Sequence, residues 1–311
     1  MSKIKLSPPL YHYTTLEAAV SILNEGKLRL YRSTALSDPL EVRLGLDMLV
    51  DVLIEALDKA TDTKQRQRLG SVLLQTYLVF SMQGDSRFTP ELRQKMGMPK
   101  AMAEMTHFVD TFGPQNPDRV RAIYVACLTE ERDAIGQWRL YGDSGAGVAL
   151  GFKFDKDIKK KSINGRKVKV GIGQVSYDKE KVRRKMQALG KRIAASSSNI
   201  WSLAEMCYQE AILLKQADYS HEREWRLFIY AKALKHSPNV TISRGRIRPY
   251  VDLESFGLSA DNKLPLVEII TGPLSAFDGE TDEHWRLFVY SKNTIDAADD
   301  VRLTKSGKML R

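Results

Sequence analysis

Cysteine is scarce in this sequence: Cys127 and Cys207 stand alone and far apart. That excludes a disulfide-stapled scaffold, and the spacing excludes a thiolate metal site. The pair reads as buried thiols in a reducing compartment. The five histidines are dispersed and no two have zinc-site spacing, so no metal is expected. No apolar run approaches the roughly 18 residues of a membrane span. The start, Met1-Ser-Lys-Ile-Lys5, lacks the apolar core of a signal peptide. A cytoplasmic protein with no membrane partner is the expectation. Gly171-Ile-Gly173 lacks the third glycine of a dinucleotide fingerprint and does not open a helix, which removes that motif. Trp-Arg-Leu recurs at 138, 225 and 285 with unequal spacing, so no repeat is read into it.

What is present is a globular composition. The chain has 311 residues, 43% apolar and 28% charged, enough for one large domain or two ordinary ones. The net charge of +10 is concentrated. Between Lys153 and Arg192 there are fifteen Lys or Arg against four Asp or Glu. Such an excess points to a phosphate-bearing partner, with Lys159, Lys160, Lys161, Arg166, Lys167, Arg183 and Arg184 as the candidate contacts. The alternative is a solvated hairpin followed by a basic helix face.

In chain order, residues 1–9 read as a loose arm ending at Pro8-Pro9, and residues 10–311 as a single domain. Leu10 to Thr15 reads as a strand that stops at a helix cap, Thr14 or Thr15, with Gly26 closing the helix. Lys27 to Arg32 alternates as a second strand. Asp38-Pro39 can start a helix, with Asp38 as N-cap and Glu41 as its N3 partner. Leu46, Leu49, Val50, Leu53 and Leu57 keep helical spacing, as do Leu69, Val72, Leu73, Thr76, Tyr77 and Phe80. Met102, Met105, Val109 and Phe112 mark another helix. Residues 39–117 thus form a helical insertion between sheet elements. Ala122 to Leu128 is a buried strand. A helix is expected over Thr129–Tyr141, and a strand over Val148–Phe154. The latter is expected to pair with Lys167–Tyr177 across a basic turn. Helices at 179–195 and 199–217, strands at 246–253, 264–270 and 301–304, and a helix at 279–291 complete the chain. The class is α+β, with a mixed, largely antiparallel sheet.

One stretch concentrates chemistry. In Tyr219-Ser-His-Glu-Arg-Glu-Trp-Arg-Leu-Phe-Ile-Tyr230, Glu222 and Glu224 precede a period-two run. Residues i and i+2 of a strand share a face, which predicts both carboxylates on one side at its entrance. Such a pair can take a proton or fix a sugar hydroxyl. Equally, it can be an ion pair with Arg223 or Arg226.

Several motifs then combine: Leu10-Tyr-His-Tyr-Thr-Thr15, Ile22-Leu-Asn-Glu-Gly26, Leu36-Ser-Asp-Pro-Leu-Glu41, Val125-Ala-Cys-Leu-Thr129, Gln137-Trp-Arg-Leu-Tyr141, Gly147-Val-Ala-Leu-Gly-Phe152, Glu222-Arg-Glu-Trp-Arg226 and Glu268-Ile-Ile-Thr-Gly-Pro273. In this order they resemble the bacterial domain-of-unknown-function family 2971, from about residue 10 to the C-terminus. That family typically shows Asn-Asp-Pro where this chain has Ser37-Asp-Pro39, and Phe-Ser where it has Leu128-Thr129. More distantly, the His-Tyr-Thr strand and the helix ending in glycine resemble the start of NAD-consuming ADP-ribosyltransferases.

The second resemblance implies roles. His12, with Tyr13 and Thr14 beside it, would hold the nicotinamide ribose. Trp138 or Tyr141 would stack on nicotinamide, and Glu224 would engage the ribose hydroxyl. Glu222, first acid of a Glu-x-Glu pair, would face the acceptor. Arg32 or Arg43 could pair with the pyrophosphate. Asp38, Glu41 and Arg226 would support the site. The expected activity is NAD-dependent ADP-ribosyl transfer or NAD hydrolysis, in a toxin or antiviral defence effector. A nucleic-acid or protein acceptor and an antitoxin or defence-system partner would follow. Two readings compete: a non-catalytic nucleic-acid- or partner-binding module using the basic 153–192 region, and hydrolysis of a different nucleotide by the carboxylate pair.

Overall fold

The computed structural model describes residues 8–36, 40–79, 89–96, 122–154, 161–163, 166–168, 170–196, 200–231, 239–243, 245–254, 264–275, 279–292, 294–295 and 300–309. The strands are β1 (Leu10–Thr14), β2 (Lys27–Arg32), β3 (Ala122–Thr129), β4 (Val148–Phe152), β5 (Lys161–Ile163), β6 (Arg166–Val168), β7 (Val170–Gln174), β8 (Glu224–Ala231), β9 (Asn239–Ser243), β10 (Arg246–Glu254), β11 (Leu266–Thr271) and β12 (Arg302–Lys305). The helices are α1 (Leu16–Glu25), α2 (Leu40–Asp58), α3 (Thr63–Val79), α4 (Pro90–Lys95), α5 (Ile135–Leu140), α6 (Lys179–Ala195), α7 (Ile200–Ile212) and α8 (Gly279–Tyr290). The class is α+β, as expected.

Local chemistry sets several boundaries. Thr15 caps α1 by accepting from the Ala18 amide at 3.2 Å, and Gly26 ends the helix at φ 64°, a left-handed position that costs glycine little. The apolar stripes of α2 and α3 are buried as their spacing predicted: Leu46, Leu49, Val50, Leu53, Leu57, Leu69, Val72 and Leu73 share one core with α6, α7 and one face of the sheet. The helical segment after residue 39 is therefore one layer of the domain. On the other face, α1 and α8 cover a second core that includes Leu23, Leu150, Leu227, Ile269 and Trp285. The expected helix start at Asp38-Pro39 and the helix around Met102 to Phe112 lie outside the described residues.

Ten strands form one sheet among the described residues, in the order β12-β11-β4-β1-β3-β2-β10-β9, with β8 and β7 attached through β3. Every pairing is antiparallel except β11 with β12. β5 and β6 form a separate hairpin. The expected pairing of 167–177 with 148–154 is not formed. β4 has β1 on one edge and β11 on the other, so it has no free edge, and β7 pairs with β8 instead. The expected helix over 129–141 is confined to Ile135–Leu140.

One topological feature positions the site. β3 pairs with β8 along its whole length, from Ala122↔Ala231 to Thr129↔Glu224. Its other edge is shared. β1 meets it at Tyr11↔Thr129, and β2 meets it at Tyr31↔Val125 and Arg32↔Tyr124. Between those contacts, Ala126, Cys127 and Leu128 have no strand on that edge, and a cleft opens where β1 and β2 part.

Candidate functional site

The cleft has a volume of about 350 Å³. Its floor is Val125 to Thr129 of β3, flanked by Tyr11, His12 and Tyr13 of β1 and by Arg29 and Tyr31 of β2. Gln137 and Leu140 of α5 reach it with Tyr141 just beyond that helix, and Arg248 reaches it from β10. Lys215, Tyr219, Glu222 and Glu224 close it from the segment leading into β8. His12, Tyr141, Glu222 and Glu224, far apart in sequence, are therefore brought together.

His12 fills the gap in the sheet. Its Nδ1 lies 3.0 Å from the carbonyl oxygen of Cys127. A carbonyl only accepts, so Nδ1 carries the proton. Burial pushes the His12 pKa below its usual value, against the smaller opposing effect of that hydrogen bond. The ring is thus neutral at physiological pH, which leaves Nε2 as an acceptor.

The acid pair converges by a different route from the expected one. Glu222 ends a 3-10 turn (Ala217–Glu222), and Arg223 is left-handed at φ 44° before β8 begins at Glu224. Both side chains are about 4% exposed and meet at the Lys215 Nζ, 2.7 Å from Glu222 Oε2 and 2.9 Å from Glu224 Oε2. Glu224 also accepts from Arg226, from Nε to Oε1 at 2.8 Å and from Nη2 to Oε2 at 3.4 Å. Burial works to raise the Glu224 pKa. The Arg226 charge and hydrogen bonds, helped by Lys215, outweigh it and lower the value to about 2. Both Glu224 oxygens are therefore occupied. Glu222 differs: its Oε1 is buried and has no hydrogen-bond partner among the described residues. Thr129 fixes the Glu222 backbone by donating from Oγ1 to its carbonyl at 2.6 Å. An unpaired buried carboxylate oxygen is costly, so it marks a place for a ligand atom or a water.

The two aromatic candidates separate. Trp138 is fully buried, edge-on to Tyr13 with centroids 4.7 Å apart, and its Nε1 donates to Asp133 at 2.7 Å. It has no face to offer a ligand, which corrects the expectation that it could stack. Tyr141 is 40% exposed on the cleft wall. Tyr13 also serves structure: its hydroxyl donates to the Glu131 carbonyl at 2.9 Å and accepts from the Ala134 amide at 3.2 Å. Thr14 ends β1 and, like Arg32 and Arg43, is not among the residues that line the cleft. The lining arginines are instead Arg29 and Arg248. Arg43 pairs with Asp47 one helical turn on, at 2.9 Å. Arg226 is buried and serves Glu224 and the Ile212 carbonyl. Asp38 and the Glu41 side chain lie outside the described residues.

The basic segment is partly described. Lys159 and Lys160 lie outside the described residues. Of Lys161, Arg166 and Lys167 only the backbone, in β5 and β6, is described. On α6, Arg183 is paired with Glu55, while Arg184 is exposed. Among the described residues no cluster of His, Cys, Asp and Glu is placed to hold a metal ion. No helix there is long and apolar enough to cross a membrane.

Lys215, Arg29 and Arg248 were missed from sequence. Lys215 is a single lysine three residues after the apolar helix α7, and only its position seven residues before Glu222 could have linked the two. Arg29 and Arg248 are each one charge among several in alternating strands.

Residues 137–227 match the model of a family described as "Protein of unknown function (DUF2971)". The match runs from α5 into β8 and includes Tyr141, Lys215, Glu222 and Glu224, and it supports the resemblance to that family. No curated protein and no solved structure matches the chain.

Proposed function

We propose that the cleft binds NAD and cleaves its nicotinamide–ribose bond, passing ADP-ribose to water or to a nucleic-acid or protein acceptor. The biological setting in this reading is a bacterial toxin or antiviral defence effector with a cognate partner protein. The observation that carries it is the Glu222 Oε1, without a hydrogen-bond partner among the described residues, in a cleft shared with His12 and Tyr141.

Heterolysis of the bond sends its electron pair to the pyridinium nitrogen, so neutral nicotinamide leaves and positive charge develops on the ribose. A fixed carboxylate oxygen stabilises that charge. Glu222 takes this role in place of Glu224, whose oxygens are held by Lys215 and Arg226. Lys215 orients Glu222 through Oε2 and leaves Oε1 for the ribose. His12 Nε2 accepts from a ribose hydroxyl, and Tyr141 offers its face to nicotinamide. The attacking oxygen then bonds to C1′, and its proton passes to Glu222.

The test is nicotinamide release from NAD with and without DNA, RNA and protein acceptors. Glu222→Gln should cut the rate by about 100-fold or more, the scale of one lost transition-state contact. NAD turnover that survives Glu222→Gln in a folded variant sinks the role of Glu222. No turnover under any condition, with tight and steeply salt-dependent nucleic-acid binding, would instead favour the binding module.

A further inference from the structure

The flank of the cleft built from β2 and β10 carries a second, chemically distinct set of groups. Residues two apart on a strand share a face. Arg29 therefore stands with Tyr31, and Arg248 with Tyr250, while the register sets Tyr31 opposite Tyr250 and Arg29 opposite Asp252. The side chains interlock. The Arg248 guanidinium lies 4.1 Å from the Tyr31 ring centroid, the Arg29 guanidinium 4.7 Å from that of Tyr250, and the two rings are 6.1 Å apart. Stacking on a ring fixes the plane of a guanidinium and leaves its N–H edge free to donate.

Those donors are little used. Arg248 donates from Nε to the Ala35 carbonyl at 2.9 Å, and its Nη groups meet no acceptor among the described residues. Arg29 has one long ion pair, 3.7 Å from Nε to Asp252. Both arginines line the cleft, whereas Lys215 and Arg226 are consumed by the acid pair.

We propose that Arg29 and Arg248 form a diphosphate subsite, so that the cleft selects a nucleotide carrying a pyrophosphate over the corresponding nucleoside. Two fixed forks on one ladder suit two linked phosphates, each able to accept a pair of N–H bonds. The subsite deepens the NAD reading and rests on it for the ribose half of the ligand. It assigns the phosphate contact to Arg29 and Arg248 in place of Arg32 or Arg43.

Titration calorimetry with inorganic pyrophosphate, ADP-ribose and adenosine tests it on the wild type, Arg29→Gln, Arg248→Gln, Arg248→Lys and Arg286→Gln. Pyrophosphate and ADP-ribose should bind and adenosine should bind at least tenfold more weakly. Each glutamine variant in the cleft should lose about 10- to 100-fold for both phosphates, the scale of charge-assisted hydrogen bonds. Arg248→Lys should fall between, since it keeps the charge without the fork. Arg286→Gln, on the exposed surface of α8 and outside the cleft lining, should bind like the wild type. Absence of pyrophosphate and ADP-ribose binding overturns the subsite, as does an equal loss in Arg286→Gln. Should Arg29→Gln fail to fold, the Arg248 pair decides. The two readings fail separately. Arginine-dependent ADP-ribose binding without NAD cleavage removes the activity and keeps the subsite. NAD cleavage with KM unchanged in the Arg29 and Arg248 variants removes the subsite and keeps the activity.

Discussion

Arg226 holds both carboxylate oxygens of Glu224 from two positions further along the same strand, with Nε 2.8 Å from Oε1 and Nη2 3.4 Å from Oε2. The i, i+2 relation puts both on the α6/α7 side of β8, where Arg226 is wholly buried. A charge pair in that setting adds little net stability as a unit, but loss of one member strands the other. Arg226→Met should therefore cost roughly 3–5 kcal/mol of unfolding free energy, the range for breaking a buried pair. Glu224→Gln combined with Arg226→Met should recover part of that loss. Urea unfolding of the two variants reads both effects, and a loss below about 1 kcal/mol in Arg226→Met would contradict the buried-pair argument.

The low Glu224 pKa makes stability depend on pH in a defined window. Its folded value, about 2, lies below the ordinary 4.5. A group depressed on folding contributes stability above its unfolded pKa and loses it as pH falls through the folded one. Unfolding free energy should decline from about pH 4.5 toward pH 2, and Glu224→Gln should flatten part of that decline. Glu268 titrates in the same direction. Burial opposes its ionisation, but hydrogen bonds from Arg132 and Tyr11 prevail and lower its pKa. Some slope should thus survive in Glu224→Gln. A variant as steep as the wild type would show that Glu224 is not held as the geometry indicates.

The elements were legible where periodicity is a local property. The α2 stripe from Leu46 to Leu57 and the Thr15 and Gly26 boundaries of α1 follow from spacing and capping chemistry. Pairing was less legible, because edge occupancy is a property of the whole sheet. Nothing in residues 148–154 announces that β1 and β11 take both edges of β4. The same limit applies to the cleft. His12 and the acid pair were visible as residues, but their meeting depends on β3 sharing one edge between β1 and β2. Trp138 and Tyr141, three apart, looked equivalent. Only the packing of Tyr13 and the Asp133 hydrogen bond shows that one ring is core and the other faces the cleft. Gly171 and Gly173, unexplained as a fingerprint, let β7 lie close to Phe228 and Leu213.

If Tyr141 works by its ring face, its hydroxyl is dispensable for binding. Tyr141→Phe should leave the KM for NAD close to the wild-type value. Tyr141→Ala should raise it about 10- to 100-fold, in line with roughly 1–3 kcal/mol for stacking a base on an aromatic ring. Steady-state kinetics on the two variants checks this. Equal losses in both would assign the role to the hydroxyl.

Two glycines in helices should respond to alanine with opposite signs. In a helix interior, glycine to alanine ordinarily gains about 1 kcal/mol. Gly190 of α6 has room for the methyl group: a Cβ there would sit 3.8 Å from the Ala56 Cβ and 3.9 Å from Val52 Cγ1 of α2. Gly190→Ala should therefore raise the melting temperature. Gly45 of α2 has no room, because its Cβ would overlap the backbone carbonyl of Ala211 in α7. Backbone cannot swing aside as a side-chain tip can. The two helices must separate, and overpacking of this kind costs about 1–3 kcal/mol, enough to cancel the propensity gain. Gly45→Ala should thus lower the melting temperature, and because Ala211 lies close before Lys215, it should also disturb the acid pair. Thermal melts of the two variants, side by side, check the sign. A stabilised Gly45→Ala would mean that α2 and α7 do not approach as closely as described.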